Sequence, residues 1–345
     1  MVTIGSAGAQ QTQLDFDVNG TDVILLDDVL FTGRTIRAVL AEQGLDPNLV
    51  TLCVTAQREV TQGLATHPAV KSIDFTGGNA FGQWLINNCR QAQVYAELAG
   101  VNHIVIDSTH AYKAMLGNLA FTLSLYSGQM CTTTQVIMVP AGGIATDEGP
   151  KTHEQVCADL AAAIDRFLSK PEVACAVLGA IQSGDTADRI ALANSGQLGR
   201  VLLASKPLSN PEFPAAKVQT PVLLACDMAD EADYMEERFG PISFVVSVPD
   251  TAAAIALSER MVNTHGALTV GVYSTSDAVV DAMTAATCRS KVALSINLTG
   301  AVFVNQSAAY SDYHGTGGNP AANASYADSA FVANRFRVVQ RRYHV

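Results

Sequence analysis

Ile73-Asp74-Phe75-Thr76-Gly77-Gly78-Asn79-Ala80-Phe81-Gly82, followed by Glu97-Leu98-Ala99-Gly100, is the stretch on which the fold turns. It passes from an apolar strand through a paired-glycine turn into a helix start, the local order of an α/β protein. Working outward, Val23 to Leu26, Val50 to Val54, Ser72 to Phe75, Val94 to Leu98 and His103 to Ile106 read as buried strands. Strands apolar on both faces are expected where helices cover both sides of a parallel sheet. A helix is predicted from about Thr152 to Ser169, where Val156, Leu160, Ile164 and Phe167 share one face and Pro171 ends it. Val201 to Ala204, Val222 to Ala225, Phe244 to Val248, a helix from Thr251 to about Asn263, Thr269 to Tyr273 and a helix near Asp277 to Ala286 read as a second α/β lobe. Ser307 to Ser329 is an irregular connection rich in Gly, Asn, Ala and Ser. It leads to a basic extended end, Phe336 to His344, which needs a sheet to join in this chain or a neighbouring subunit.

Composition narrows the function classes. The 345 residues are 48% hydrophobic, enough for a core divided between two lobes. A net charge of -11 leaves no basic face for a phosphate backbone, so nucleic acid is not an expected partner. Cys53, Cys89, Cys131, Cys157, Cys175, Cys226 and Cys288 form no CxxC pair and no clustered Cys/His spacing. That pattern predicts neither a structural metal nor a disulfide framework, and it suits a reducing cytoplasm. No export signal and no apolar run near the roughly 20 residues of a membrane span is visible.

The segment Tyr126-Ser127-Gly128-Gln129-Met130-Cys131 places one cysteine after a Gly-Gln turn at the end of a helical stretch. Only a thiolate attacks a carbonyl, so such a cysteine needs a partly open, polar position. His103, His110 and His265 offer no triad pattern and read as surface or satisfied core groups. Trp84 reads as packing, and Tyr310 to Gly318 as the border of a substrate entrance.

Taken together, the Phe75-Thr76-Gly77-Gly78 turn, Glu97-Leu98-Ala99-Gly100 and Gly128-Gln129-Met130-Cys131 resemble aldehyde dehydrogenases. In that family an F-T-G-S turn lies near a cofactor pyrophosphate, an E-L-G-G strand carries a general base and a G-Q-x-C segment carries the nucleophile. Glu236-Glu237-Arg238-Phe239-Gly240-Pro241 resembles the family's E-x-F-G-P motif. The resemblance implies Cys131 as nucleophile, Glu97 as base, and Phe75, Thr76, Gly77, Gly78, Leu98, Glu237 and Phe239 around NAD or NADP, with no metal. It also implies an aldehyde dehydrogenase-like α/β fold: a partial, incomplete Rossmann-type cofactor domain over 1–98, a catalytic domain over 99–298, and a return segment with an oligomerisation strand over 299–345. A small-molecule aldehyde substrate and a homo-oligomer follow from the same likeness. Asp147-Glu148-Gly149, Phe244-Val245-Val246, Val302 to Ala309 and Asn334 to Gln340 resemble the PaaN-type phenylacetic acid degradation branch. That branch implies oxidation of a ring-opened semialdehyde, as the free acid or its coenzyme A thioester.

The chain departs from the family pattern near its start. Gly78 stands in place of the usual serine, no lysine precedes Lys71, and an upstream oxyanion-holding asparagine is unassigned. Val23 to Thr35 instead resembles the phosphoribosyl pyrophosphate motif of PyrR-type phosphoribosyltransferases, with Asp27 and Asp28 facing ribose and Thr32, Gly33, Arg34 and Thr35 facing phosphate. Three readings therefore stand: an aldehyde dehydrogenase, a truncated or chimeric dehydrogenase fold of little activity, and a PyrR-like uracil phosphoribosyltransferase or operon regulator.

Overall fold

The computed structural model describes residues 57–309 and 314–325, with isolated positions between 41 and 55. The strand expected at Val23 to Leu26, most of that at Val50 to Val54, the phosphate-motif residues Asp27, Asp28, Thr32, Gly33, Arg34 and Thr35, and the basic end from Phe336 to His344 lie outside the described residues. The chain divides into two units, one comprising residues 1–76 and 80–94 and the other residues 77–79 and 95–345. The sequence reading set its first boundary at residue 98.

In the first unit, α1 (Arg58–Ala65) precedes β1 (Ser72–Thr76), and α2 (Asn79–Asn88) leads to β2 (Gln93–Glu97), which begins there and pairs with β1. Its small core gathers Ala65, Leu85 and Cys89, with Ile73, Phe75, Phe81, Trp84 and Val94 against them. Trp84 stacks on Phe81 with ring centroids 5.6 Å apart, and Phe75 meets Phe81 edge-on at the same separation. Trp84 is thus a packing residue.

The second unit is built on a seven-stranded sheet. In chain order its elements are β3 (His103–Ile106), α3 (Tyr112–Ser124), β4 (Val136–Pro140), α4 (His153–Phe167), α5 (Pro171–Val177), α6 (Gly184–Asn194), β5 (Arg200–Leu203), β6 (Val222–Asp227), β7 (Ile242–Val248), α7 (Thr251–His265), β8 (Thr269–Tyr273), α8 (Asp277–Ser290), β9 (Ala293–Ile296) and α9 (Val304–Ala309). The strand order is β9-β8-β3-β4-β7-β6-β5, parallel except for the edge strand β5. This corrects the expected second lobe, because the strands from Arg200 onward share one sheet with β3. The strand that joins them, β4, carries no alternation and follows the polar run Thr132 to Gln135, so it was not anticipated.

Alternate residues of the central strands feed two cores. Val105, Met138, Phe244, Val246 and Val270 face Ile190 of α6, Leu257 and Met261 of α7 and Met283 of α8. Ile104, Ile106, Ile137, Val139 and Val245 face Leu119 of α3 and Leu160 and Ile164 of α4. Thr152 caps α4 by accepting from the Gln155 amide, and the Gln155 side chain returns the bond to Thr152. Pro171 does not close that helix. It opens α5 at the first turn, where its missing N–H costs nothing.

Asn102, just before β3, ties the sheet's amino edge together. Its Nδ2 donates to the carbonyls of Cys131 (2.7 Å) and Thr133 (3.1 Å), while Oδ1 accepts from the amides of Leu268 (3.0 Å) and Thr269 (3.1 Å). The side chain is 2% exposed, so water does not replace a lost bond. Asn102→Asp keeps the shape but turns acceptors toward two carbonyls. It is expected to cost about 2–5 kcal/mol at neutral pH, read as a lower urea midpoint with unchanged slope.

Candidate active site

The loop that carries Cys131 is built from strained backbone. Tyr126 (φ 52°), Ser127 (φ 53°) and Gly128 (φ 63°) are left-handed in succession after α3. Two non-glycine residues held this way cost on the order of 1–3 kcal/mol each, so the surroundings must over-determine them. The Ser127 hydroxyl lies 3.0 Å from both the Gly179 and the Gln219 carbonyls. Gln129 Nε2 donates to the carbonyls of Tyr126 (3.1 Å) and Ala180 (2.9 Å), and its Oε1 accepts from the Gln182 amide. Gly128 admits no substitute, since a Cβ there would stand 2.3 Å from the Gly240 carbonyl oxygen. The Cys131 loop is therefore seated directly on the Phe239-Gly240-Pro241 turn.

Glu97 ends β2 and is fixed from the opposite end of the sequence. Leu98 N donates to Ala321 O (2.7 Å), Asn323 N to Ala96 O (3.1 Å), and Ala96 N to Asn323 Oδ1 (2.9 Å). The Gly77 amide also donates to the Glu97 carbonyl at 3.0 Å. The return segment thus lies along the strand that carries the carboxylate, and it delivers His314 to the same place.

There the structure adds a residue that the sequence reading did not single out. His314 Nε2 lies 2.9 Å from Glu97 Oε1 and 3.5 Å from Cys131 Sγ, and Nδ1 lies 3.2 Å from the Ala308 carbonyl. Reactive atoms of Glu97, Cys131 and His314 all fall within 4.8 Å of one another, although the three positions span more than 200 residues of sequence. His314 is 7% exposed and Glu97 17%, whereas Cys131 is partly open. The sequence signal was slight: one histidine in an irregular segment read only as an entrance border. The three histidines weighed there behave otherwise, His103 being a satisfied core group between Val101 O (2.8 Å) and Ser258 Oγ (2.7 Å). Burial pushes its pKa down to about 4.

Glu237 and Phe239 border a cleft shared with Gly100, Gly128, Met130 and Thr133. Gln135, also unanticipated, shapes this wall: its Nε2 donates to the Tyr234 (3.1 Å) and Glu236 (2.7 Å) carbonyls, and its Oε1 accepts from the Arg238 amide. Burial pushes the Glu237 carboxyl up to about 7, against a bond from Gly100 and the charge of Arg189. Among the other residues assigned to a cofactor, Thr76, Gly77 and Gly78 are exposed at the turn before α2, and a Cβ on Gly78 would meet open space. The Phe75 ring packs into the first unit's core, and Leu98 is buried.

A profile of the aldehyde dehydrogenase family matches residues 28–326. The chain belongs to the aldehyde dehydrogenase family. A crystal structure of an NAD-dependent aldehyde dehydrogenase from Burkholderia multivorans shares 52% identity and a TM-score of 0.85, over 91% of this chain and 56% of that one. This chain therefore spans little more than half the length of that aldehyde dehydrogenase. The α-ketoglutaric semialdehyde dehydrogenase 2 of Azospirillum brasilense is 33% identical over 119 residues, 32% of this chain and 22% of its own. A separate likeness, 58% over 41 residues, is to the bifunctional protein PyrR of Streptococcus uberis, covering 12% of this chain and 20% of that protein.

The Glu237 carboxyl makes a stability prediction with a definite sign. Its folded pKa lies above the ordinary 4.5, so the folded chain binds the proton more tightly than the unfolded one. The penalty for ionising it is absent below about pH 4.5, grows through the interval and is complete above about pH 7. Glu237→Gln should therefore stabilise the chain by about 2–3 kcal/mol at pH 8 and not at pH 4, in urea unfolding at the two pH values. Equal curves for the two proteins at pH 8 would contradict it.

Proposed function

We propose that this chain oxidises a small aldehyde to its carboxylic acid, with Cys131 as nucleophile, Glu97 as general base and NAD or NADP as hydride acceptor. The observation that carries the reading is the convergence of the Cys131 and Glu97 reactive atoms within 4.8 Å. The Cys131 thiolate adds to the carbonyl carbon, forming a carbon–sulfur bond and an alkoxide. Nicotinamide, when bound, supplies the acceptor for the hydride that this tetrahedral carbon must lose. Glu97 then takes a proton from water, the hydroxide attacks the thioester carbonyl, and the carbon–sulfur bond breaks to release the acid and return the thiolate. The Glu97 carboxylate, 17% exposed, retains the access to water that this step requires.

The cleft chemistry suits the nicotinamide end of such a cofactor. Glu237 presents a largely desolvated acceptor that ribose hydroxyls would satisfy, and the Phe239 ring, 36% exposed beside it, offers an apolar surface. The exposed Thr76-Gly77-Gly78 turn before α2 would offer amides to phosphate. As substrate we propose a ring-opened semialdehyde of phenylacetate breakdown, as acid or coenzyme A thioester, supported by the PaaN-like stretches noted above. A homo-oligomer is the assembly this reading carries.

The PyrR likeness supports a second reading, a sugar-pyrophosphate site at Asp27, Asp28 and Thr32 to Thr35. Thermal stabilisation side by side with NAD, NADP and phosphoribosyl pyrophosphate separates the two. Aldehyde oxidation predicts a shift with a nicotinamide dinucleotide, worth roughly 2.7 kcal/mol at a hundredfold excess over its dissociation constant. A shift with the sugar pyrophosphate alone favours the second reading.

Substitution tests the chemistry. Cys131→Ala should abolish aldehyde-dependent NAD(P)H formation, and Glu97→Gln should slow it about 10²- to 10⁴-fold. Turnover that survives in Cys131→Ala removes that thiol from the reaction.

A further inference from the structure

We propose that His314 is a third catalytic group, an imidazole that takes the Cys131 proton on Nε2 and so lets the thiolate and the Glu97 carboxylate exist side by side. This inference rests on the reading of Cys131 and Glu97 given above and deepens it. The assignment begins with the ring nitrogen that does not face the thiol. Nδ1 lies 3.2 Å from the Ala308 carbonyl, which only accepts, so Nδ1 carries a hydrogen. In the neutral ring Nε2 would then present a bare lone pair. Yet it lies 2.9 Å from a Glu97 oxygen, and two acceptors at that distance repel unless a proton lies between them.

Three groups share that proton. Cys131 Sγ stands 3.5 Å from the same Nε2, within hydrogen-bond reach for sulfur. Were it on sulfur, the carboxylate would face the nitrogen lone pair. Were it on Glu97, the base would be neutral before its task began. On Nε2 it makes an imidazolium flanked by a thiolate and a carboxylate, and the cluster has the same total charge in all three cases. Two anions within 4.8 Å repel each other, and a cation between them offsets that repulsion. Glu97 and Cys131 are titratable groups within hydrogen-bond reach of this nitrogen.

The step balances simply: the S–H bond breaks, its electron pair stays on sulfur, and an N–H bond forms on Nε2. No oxidant or other reactant enters. The consequence concerns the order of events. With Glu97 alone, the thiol's proton would occupy the carboxylate and would have to leave before Glu97 could act on water. With His314 holding it, Glu97 stays ionised through both halves of the reaction.

The test follows the thiol rather than the turnover. In the full chain, alkylation of Cys131 by iodoacetamide is followed by peptide mapping from about pH 6 to about pH 9, against an ordinary thiol pKa of about 8.5. The wild type should react at a nearly constant rate over this range. His314→Gln keeps a hydrogen-bonding side chain but does not titrate, and at about pH 6.5 it should react about tenfold or more slowly, rising to the wild-type rate at high pH. Superimposable profiles would overturn the proposal. Slow alkylation of the buried Cys226 marks the variant as folded.

A second measurement needs no His314 variant. The ultraviolet absorbance of the wild-type chain minus that of Cys131→Ser should show one thiolate at about pH 6.5, and its absence there overturns the proposal. Neither readout uses an aldehyde or a cofactor. A thiolate present in a chain that oxidises no aldehyde would defeat the proposed function while supporting His314. Aldehyde oxidation with an ordinary thiol at Cys131 would do the reverse.

Discussion

The carboxamide of Asn102 is the constraint on which the rest of the site depends. It uses its donors on the carbonyls of Cys131 and Thr133 and its acceptor on the amides of Leu268 and Thr269, all from a side chain removed from water. Three separate stretches of chain thus share one planar group, and none can shift without stranding a buried polar atom. Asn102 follows Glu97 by five positions and leads into β3, so the residue whose side chain bonds the Cys131 loop lies a short step beyond the strand that carries Glu97. Precision here comes from backbone bonds to a buried side chain, and rigid sheet edges supply the rest.

The residues of the site gather at the amino ends of neighbouring parallel strands. Cys131 precedes β4, Asn102 precedes β3, Gly240 precedes β7, and Leu268 precedes β8, adjacent members of one sheet. Open parallel sheets ordinarily place ligands beyond their carboxyl ends. What makes the amino edge usable is the left-handed run from Tyr126 to Gly128, which folds the chain back after α3 and sets Gly128 against Gly240. Its strain is held by Ser127 and Gln129, whose hydrogen bonds reach the carbonyls around Gly179 and Ala180.

Much of this was legible in the sequence, for reasons that differ by residue. The all-apolar runs of β3, β6 and β8 announced a sheet covered on both faces, and the capped stripe of α4 announced its helix to within a few positions. The single sheet was not legible, because periodicity says which residues are buried and nothing about which strand lies beside which. β4, Val136 to Pro140, is a short apolar run of the same kind and was passed over after the polar stretch Thr132 to Gln135. Cys131 and Glu97 were visible as motifs with local spelling. His314, Asn102 and Gln135 have no such spelling, since each acts on partners more than 25 positions away through a contact that only the assembled chain creates.

That distinction bears on how the charges of the site are held. Glu97, Cys131 and Glu237 are all groups whose deprotonated forms carry negative charge, in a chain whose net charge is already -11. Each is treated differently by its surroundings. Glu237 is desolvated, with Arg189 and the Gly100 amide only partly offsetting the cost, so its carboxyl is pushed up to about 7. Glu97 and Cys131 share the neighbourhood of one imidazole, whose other nitrogen lies 3.2 Å from a helix carbonyl. The two carboxylates thus lie in different surroundings, one desolvated in a cleft and one beside an imidazole and a thiol. The division is set less by the residues themselves than by the return segment, whose pairing of Ala321 and Asn323 with Ala96 and Leu98 decides which carboxylate meets a histidine.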